Sequence, residues 1–287
     1  MNDRQKTRTS DVRALAHRVD PALWVRDQLK VTPALWQDTF LRVPRGASIL
    51  ALTARQVGKT TTAAWCMAHT ALMSPGSLSV IACPAQRQSA EAVRRVHGCL
   101  HQVGTTFKSD NVYGLELDNG SRVLALPGSD DSIRGLTVDG WIIADEAARL
   151  DDNLIAALRP MRARCPQTRF AMLSTAWSRT DPFWTAWMSD DPSWTRLKAT
   201  AEDVDIFSED YLTEERRALG EAAFKREYLG IPASDQASPF GWELYERATQ
   251  AHTPLVPPGP AFQPRPEAPA IPIANPFQNL KRTGVVS

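Results

Sequence analysis

The run ASILALTA, residues 47–54, is apolar at nearly every position and leads straight into a glycine turn, Val57-Gly58-Lys59-Thr60. A strand without polar alternation is buried on both faces, and a parallel sheet covered by helices buries its strands in that way. The residues after the turn, KTTTAAWCMAHTALM, form a helix that stops at Ser74-Pro75-Gly76. The strand LSVIACP and the helix QRQSAEAVRRVHGCLHQV repeat the pattern, and this βαβα order builds a parallel sheet. A Gly-Lys-Thr turn between a buried strand and a helix presents backbone N–H groups to phosphates, a lysine to the β/γ oxygens and a hydroxyl to Mg²⁺. Thr53 stands where such a loop usually opens with glycine, at the strand end and ahead of the tightest part of the turn. The rival reading is a plain glycine turn capping a helix, with Lys59 facing solvent.

A second site lies about 85 residues on. GWIIADEA (140–147) is a hydrophobic strand that delivers Asp145 and Glu146 at its C-terminal end, where ligands collect in parallel sheets. Asp145 would hold Mg²⁺, directly or through water, and Glu146 would orient and deprotonate an attacking water. An acidic pair at a strand end is common by itself, and the combination with the glycine turn is what gives it weight.

Around these motifs the chain divides as follows. The first ten residues are polar and read as frayed. Residues 11–43 read as two short helices broken at Pro33. VYGLELDNGSRVLALPG carries a hairpin signal at Asn119-Gly120, since both residues tolerate positive φ. A helix is expected over 151–162, then the strand RFAMLST (169–175), the helix DPFWTAWM and the strand TRLKAT. Two charged helices, SEDYLTEERRALG and EAAFKREYLG, follow. From about residue 250 nine of the 21 prolines crowd into one segment, a composition that reads as a disordered or polyproline-like tail.

Composition narrows the function classes. No apolar run reaches the roughly 18 residues a membrane span needs, and MNDRQKTRTSD does not read as a signal peptide. The four cysteines (Cys66, Cys83, Cys99, Cys165) show no CxxC pairing and read as reduced thiols of a cytosolic protein. With 33 Lys+Arg against 32 Asp+Glu, nucleic-acid binding would depend on local patches. Arg94-Arg95 and RPMRARCPQTR (159–169) are such patches, although a charge run is more often a solvated face. His97 and His101 lie four apart on a helix with no acidic partner evident, which argues against a metal site. Trp184, Trp187 and Trp194 read as packing residues.

ARQVGKTT, GWIIADEAA, LSTAW and FKREYLG occur in the order found in the ATPase half of phage terminase large subunits, and the resemblance spans roughly residues 33–231. It implies a RecA-like P-loop NTPase of the α/β class. Its mainly parallel sheet is flanked by helices, with a hairpin near 112–126 and a small C-terminal lid subdomain. The core would be residues 1–194, the last core strand and lid 195–231, and a linker and tail 232–287. A Walker A loop lacking the first glycine and carrying an Arg-Gln pair, here Arg55-Gln56, is a variant of that family, which accounts for Thr53.

The resemblance also implies site roles. Gln56, Gly58, Lys59, Thr60 and Thr61 would bind ATP, with Thr60 and Asp145 on Mg²⁺ and Glu146 as the base. PALWQDTF looks like the adenine-side motif, with Trp36 stacking and Gln37 bonding the adenine edge; without the resemblance the pair reads as packing. LSTA looks like the coupling motif, with Ser174 and Thr175 sensing the γ-phosphate, or else hydroxyls capping the next helix. Arg134 is a candidate arginine finger for a neighbouring subunit's nucleotide, and Arg55 is its rival.

The activity implied is ATP hydrolysis that drives double-stranded DNA into a procapsid in the cytoplasm of an infected bacterium. The partners would be the phage portal, the small terminase subunit and further copies of the chain in a ring. Family members continue into an RNase H-like nuclease with a trio of metal-binding acids. After Gly230 the sequence offers only Asp235, Glu243, Glu246 and Glu267 in proline-rich surroundings, so nuclease activity is not expected: either this is an ATPase-only fragment or the nuclease is a separate chain. Two alternatives stand beside this reading. One is another DNA-stimulated ATPase such as a helicase, for whose second domain the length leaves no room. The other is a nucleotide-binding packaging subunit that hydrolyses little by itself.

Overall fold

The computed structural model describes residues 3–127 and 135–232, with side chains described from Asp11 onward. Arg134 and the proline-rich segment lie outside the described residues.

The strands are β1 (Ser48–Thr53), β2 (Leu78–Cys83), β3 (Phe107–Asn111), β4 (Gly114–Leu117), β5 (Arg122–Pro127), β6 (Trp141–Asp145), β7 (Arg169–Ser174) and β8 (Trp194–Ala199). Together they form one sheet in the order β3-β4-β5-β2-β6-β7-β1-β8. From β5 to β8 every pairing is parallel, while β4 pairs antiparallel with both β3 and β5. The mainly parallel α/β architecture is therefore the one expected. β1, β2 and β6 are buried at every position, as their uninterrupted apolar sequences require.

Alternate residues of these strands serve two hydrophobic layers. Ile49, Ala51, Ile81, Cys83, Ile143, Ala171 and Leu173 face one layer, with α4 (Lys59–Met73) and α5 (Gln86–Gln102) above them. Leu50, Leu52, Val80, Ala82, Ile142, Ala144, Phe170 and Met172 face the other, against α6 (Asp152–Leu158) and α7 (Pro182–Met188). Phe183, Trp184, Trp187 and Trp194 pack into this second layer, as the tryptophan-rich sequence implied.

The N-terminal region departs from expectation. A helix, α1, already runs from Asp3 to Val19 and ends at Asp20, whose carboxylate accepts the N–H groups of Ala22 and Leu23 at 3.0 Å. Pro21 then opens the short α2 (Pro21–Trp24), which runs into a π turn, Val25–Leu29. The break at Pro33 is present as well, before α3 (Leu35–Leu41). Asp-Pro at 20–21 is an N-cap followed by a proline at the first helical position, so a second break was legible there too.

The hairpin joins β4 to β5 through Asn119-Gly120, with Gly120 at φ +82° and the Asn119 side chain accepting the Ser121 N–H. β3 has no counterpart among the expected elements: FKSDN is polar and largely exposed, and antiparallel pairing with β4 makes it a strand. It also supplies His97 with the acidic partner the sequence did not reveal, Asp110 at 3.3 Å. Among the described residues no cluster of three or more His, Cys, Asp or Glu side chains could hold a metal, and no helix is long and apolar enough to cross a membrane. After β8, the helices α8 (Glu209–Leu219) and α9 (Glu221–Tyr228) form a small unit around Ala201, Phe224 and Tyr228.

Candidate active site

β1 stays extended through Thr53, which pairs with Ala199 of β8 and is fully buried. No positive φ is needed there, so the position tolerates threonine. The turn itself uses two left-handed residues, Gln56 at φ +62° and Gly58 at φ +93°. At Gly58 the space is also closed, since an added Cβ would sit 2.7 Å from Gln37 Nε2.

Lys59, the first residue of α4, is buried. Its ammonium donates to the Ala54 carbonyl at 3.3 Å and lies 3.5 Å from Glu146 Oε1. The next residue, Thr60, donates its hydroxyl to Asp145 Oδ2 at 2.6 Å. The other oxygen of Asp145 accepts the Glu146 N–H at 3.1 Å. Residues 85 apart in sequence thus share one end of the sheet, although β7 lies between β6, which ends at Asp145, and β1, which leads to Thr60. Glu146 adopts φ +53°, ψ +45°, a left-handed conformation uncommon for glutamate, which turns the chain sharply at the end of β6.

Burial pushes the Asp145 carboxyl above the ordinary carboxylate range; the Glu146 charge adds to this, while the Thr60 hydrogen bond and the Lys59 charge oppose it. A buried carboxylate beside a hydroxyl oxygen is an oxygen-donor set suited to a hard cation that keeps most of its ligands as water and phosphate. The residues present therefore fit Mg²⁺ held by Thr60 and Asp145.

Ser174 and Thr175 are buried at the end of β7. Ser174 Oγ accepts the Ala148 N–H at 3.2 Å, which ties β7 to the turn just after Glu146. Gln37 already has partners at both ends of its amide: its oxygen accepts the Ala34 N–H at 2.9 Å and its nitrogen donates to Thr62 Oγ1 at 3.0 Å. Trp36 is buried against Ala54 and Val57 of the loop and Ala199, and among the described residues its indole N–H has no partner. Thr61 accepts a hydrogen bond from Arg95 of α5 at 2.9 Å, while Arg94 and Arg95 both pair with Glu91.

Arg55, like Gln56, is an exposed member of the loop. Its backbone N–H donates to the Glu227 carbonyl at 2.7 Å, and its guanidinium lies 3.8 Å from the Glu227 carboxylate. In sequence Glu227 is one letter of FKREYLG, with no role of its own. It is buried among Arg55, Arg149 and Arg226, which lie 3.8, 3.9 and 3.3 Å away. Arg149 and Arg226 also lie over the Trp177 ring, 4.2 and 4.5 Å from its centre. This cluster joins the loop, the turn after Glu146, the segment after β7 and α9. Its only advance signal was a carboxylate between arginine-rich segments far apart in the chain.

Known proteins share this arrangement of strands and helices. The fold is similar to the large terminase ATPase domain of Thermus phage P74-26, with TM-score 0.65 and 19% identity over 74% of this chain and 98% of that one. It is similar to the HK97 bacteriophage large terminase, with TM-score 0.60 and 17% identity over 75% of this chain and 55% of that one. The large terminase of a thermophilic bacteriophage, in complex with ADP, matches with TM-score 0.56 and 14% identity, over 76% of this chain and 53% of that one. The matched region thus spans about half the length of these last two proteins. No curated protein sequence matches the chain. A family model described as terminase large subunit, T4likevirus-type, N-terminal, matches residues 50–246, a span that runs from β1 through α9 and takes in both the glycine turn and the acidic pair. The chain belongs to that terminase large subunit family.

Proposed function

We propose that the chain binds ATP with Mg²⁺ and hydrolyses it to drive double-stranded DNA into a phage procapsid. The observation that carries this reading is the convergence of Lys59, Thr60, Asp145 and Glu146 at one end of the sheet. The thermophilic phage terminase bound to ADP supports nucleotide as the ligand of such a fold.

In this reading the N–H groups of the turn from Gln56 to Thr60 cradle the phosphates at the start of α4. Lys59 leaves Glu146 for the β/γ oxygens, which frees the carboxylate. Thr60 and Asp145 would hold Mg²⁺, which would supply positive charge against the phosphates when bound. Glu146 takes a proton from water as that water's oxygen bonds to the γ-phosphorus, and the bond to the ADP oxygen breaks to release phosphate. Ser174, bonded to the turn after Glu146, transmits phosphate loss to that turn, with Thr175 beside it. Trp36 and Gln37 form the adenine side. Arg134 of one copy acts on the nucleotide of the next in a ring docked on the portal, with Arg55 as the alternative finger. The small terminase subunit and a nuclease chain are the further partners, in the cytoplasm of the infected host.

The Lys59–Glu146 contact favours a second reading, since it occupies both groups together. A subunit resting in this state binds nucleotide and turns over little until DNA or a neighbouring copy engages it. Steady-state ATP hydrolysis with and without linear duplex DNA, for the wild type and Glu146→Ala, separates the two. Turnover abolished by Glu146→Ala supports the autonomous enzyme. Nucleotide binding without turnover, even with DNA and at high protein concentration, supports the dependent subunit.

A further inference from the structure

A cavity of about 790 Å³ opens at the end of the sheet opposite Lys59, between the C-terminal ends of α1, α3 and α4 and the start of β7. Four arginines line it, Arg18, Arg42, Arg45 and Arg169, against a single carboxylate, Asp20. Asp20 is committed: it accepts two hydrogen bonds from Arg42, at 3.1 and 2.9 Å, besides capping α2. His69 adds no charge, since burial pushes its imidazole below the ordinary value and its Nε2 is bonded to the His17 carbonyl at 2.8 Å. The lining therefore carries three guanidinium charges that no acid within it balances.

Arg169 is the most constrained of these. It is half-buried, its Nε donates to the Val43 carbonyl at 3.1 Å, and its guanidinium lies over the Trp141 ring at 5.1 Å. Among the described residues no carboxylate lies within ion-pair distance of Arg169, Arg18 or Arg45. A guanidinium withdrawn from water without a counter-ion is expensive to hold, and a chain that keeps one beside a second arginine has a use for an anion there. Arg18 and Arg45 are exposed at the rim, and Arg45 donates to the Ser74 hydroxyl at 3.1 Å. The positive charge also extends beyond the cavity. The turn holding Arg45 abuts the 165–167 turn, with Gly46 N–H donating to the Gln167 carbonyl at 3.0 Å. Arg162 reaches Ser48 at the start of β1 from that side, at 2.9 Å. The 159–169 cluster noted in sequence thus continues the same strip, and a strip suits a polyanion better than a single small ion.

We propose that this arginine-lined end is a contact surface for the phosphodiester backbone of duplex DNA, on the far side of the sheet from the nucleotide. The inference rests on the DNA-packaging reading and gives it a place on the molecule. Guanidiniums on phosphates recognise no sequence, which is what a motor moving along arbitrary DNA needs.

The test is binding of a fluorescent linear duplex by anisotropy across a salt series, without nucleotide. It compares the wild type, Arg18→Gln/Arg45→Gln, and a charge-matched control on β3 and α8, Lys108→Gln/Arg217→Gln. The rim pair is exposed, so its loss leaves the fold intact. The expected result is an affinity about tenfold or more lower at about 0.1 M salt for the rim pair, with the slope of log K against log salt shallower by about two. The control keeps the wild-type slope, and ATP affinity is the same in all three proteins. Equal slopes for the rim pair and the wild type overturn the surface while leaving DNA packaging standing. Equal losses in the rim pair and the control reduce the effect to net charge and also overturn it. Inorganic phosphate that displaces the duplex at matched ionic strength assigns the cavity to a small anion instead. A wild type that binds no duplex at all sinks both this surface and the DNA-handling reading beneath it.

Discussion

Gly58 holds its backbone at φ +93° with Gln37 closing the space beside it, so both strain and crowding oppose any side chain there. Gly58→Ala is expected to lower stability by about 1–2 kcal/mol and to abolish nucleotide binding, read by thermal melting with and without ATP. Asp145 presents the opposite balance. Its carboxyl titrates above the usual value, so between about pH 4 and that raised value the native state keeps a proton that the unfolded chain has released. Its contribution to stability is thus greatest at low pH and is lost as pH rises through that window. Asp145→Asn is expected to raise the apo melting temperature by about 2–4 °C per kcal/mol recovered while eliminating Mg²⁺-dependent turnover. A variant that melts lower than the wild type at neutral pH would remove the buried-charge argument. Trp36→Phe tests the adenine side: it keeps most of the packing and removes an unpartnered N–H, so stability should change by less than about 1 kcal/mol. A weakened ATP affinity in that folded variant would show contact with the base.

At the scale of elements, what the sequence made legible and what it did not differ by range. Gly58, Lys59 and Asp145 were readable because each sits where a strand ends, and uninterrupted apolar runs mark such strands clearly. β3 was not, since its five residues are polar and only pairing with β4 makes them a strand. The Glu227 cluster was invisible because it gathers residues from four separate segments, and no local pattern encodes that meeting. The function of that cluster is therefore best probed by cutting it. Glu227→Ala leaves Arg149, Arg226 and Arg55 facing one another and should lower stability by about 1–3 kcal/mol, discounted for the partial exposure of the arginines. Glu227→Gln, which keeps the shape and some hydrogen bonds, should recover part of the loss. Equal melting of both variants and the wild type would show that the loop and α9 hold together without the carboxylate.

For the whole molecule, the question is whether one copy completes the site of another. If Arg134 acts in trans, Arg134→Ala and Glu146→Ala proteins should each lose most turnover, about a thousandfold for a finger arginine. Mixing them should restore a measurable fraction, because some interfaces then pair an intact Glu146 with an intact Arg134. No recovery at any mixing ratio would place the finger in the same chain and turn attention to Arg55. Such an assembly must crowd several copies side by side, and the two outer strands of the sheet bear on how safely it does so. β3 sets Lys108 and Asp110 along one rim. Along the other, β8 carries an exposed Lys198, and its Arg196 guanidinium donates to the carbonyls of Ala186, Trp187 and Ser189. Adding a neighbour's strand to either rim would bury charge or tear those donors away, so both margins resist fusion. Copies held at high local density in such a ring would thus be kept from zipping edge to edge into fibres.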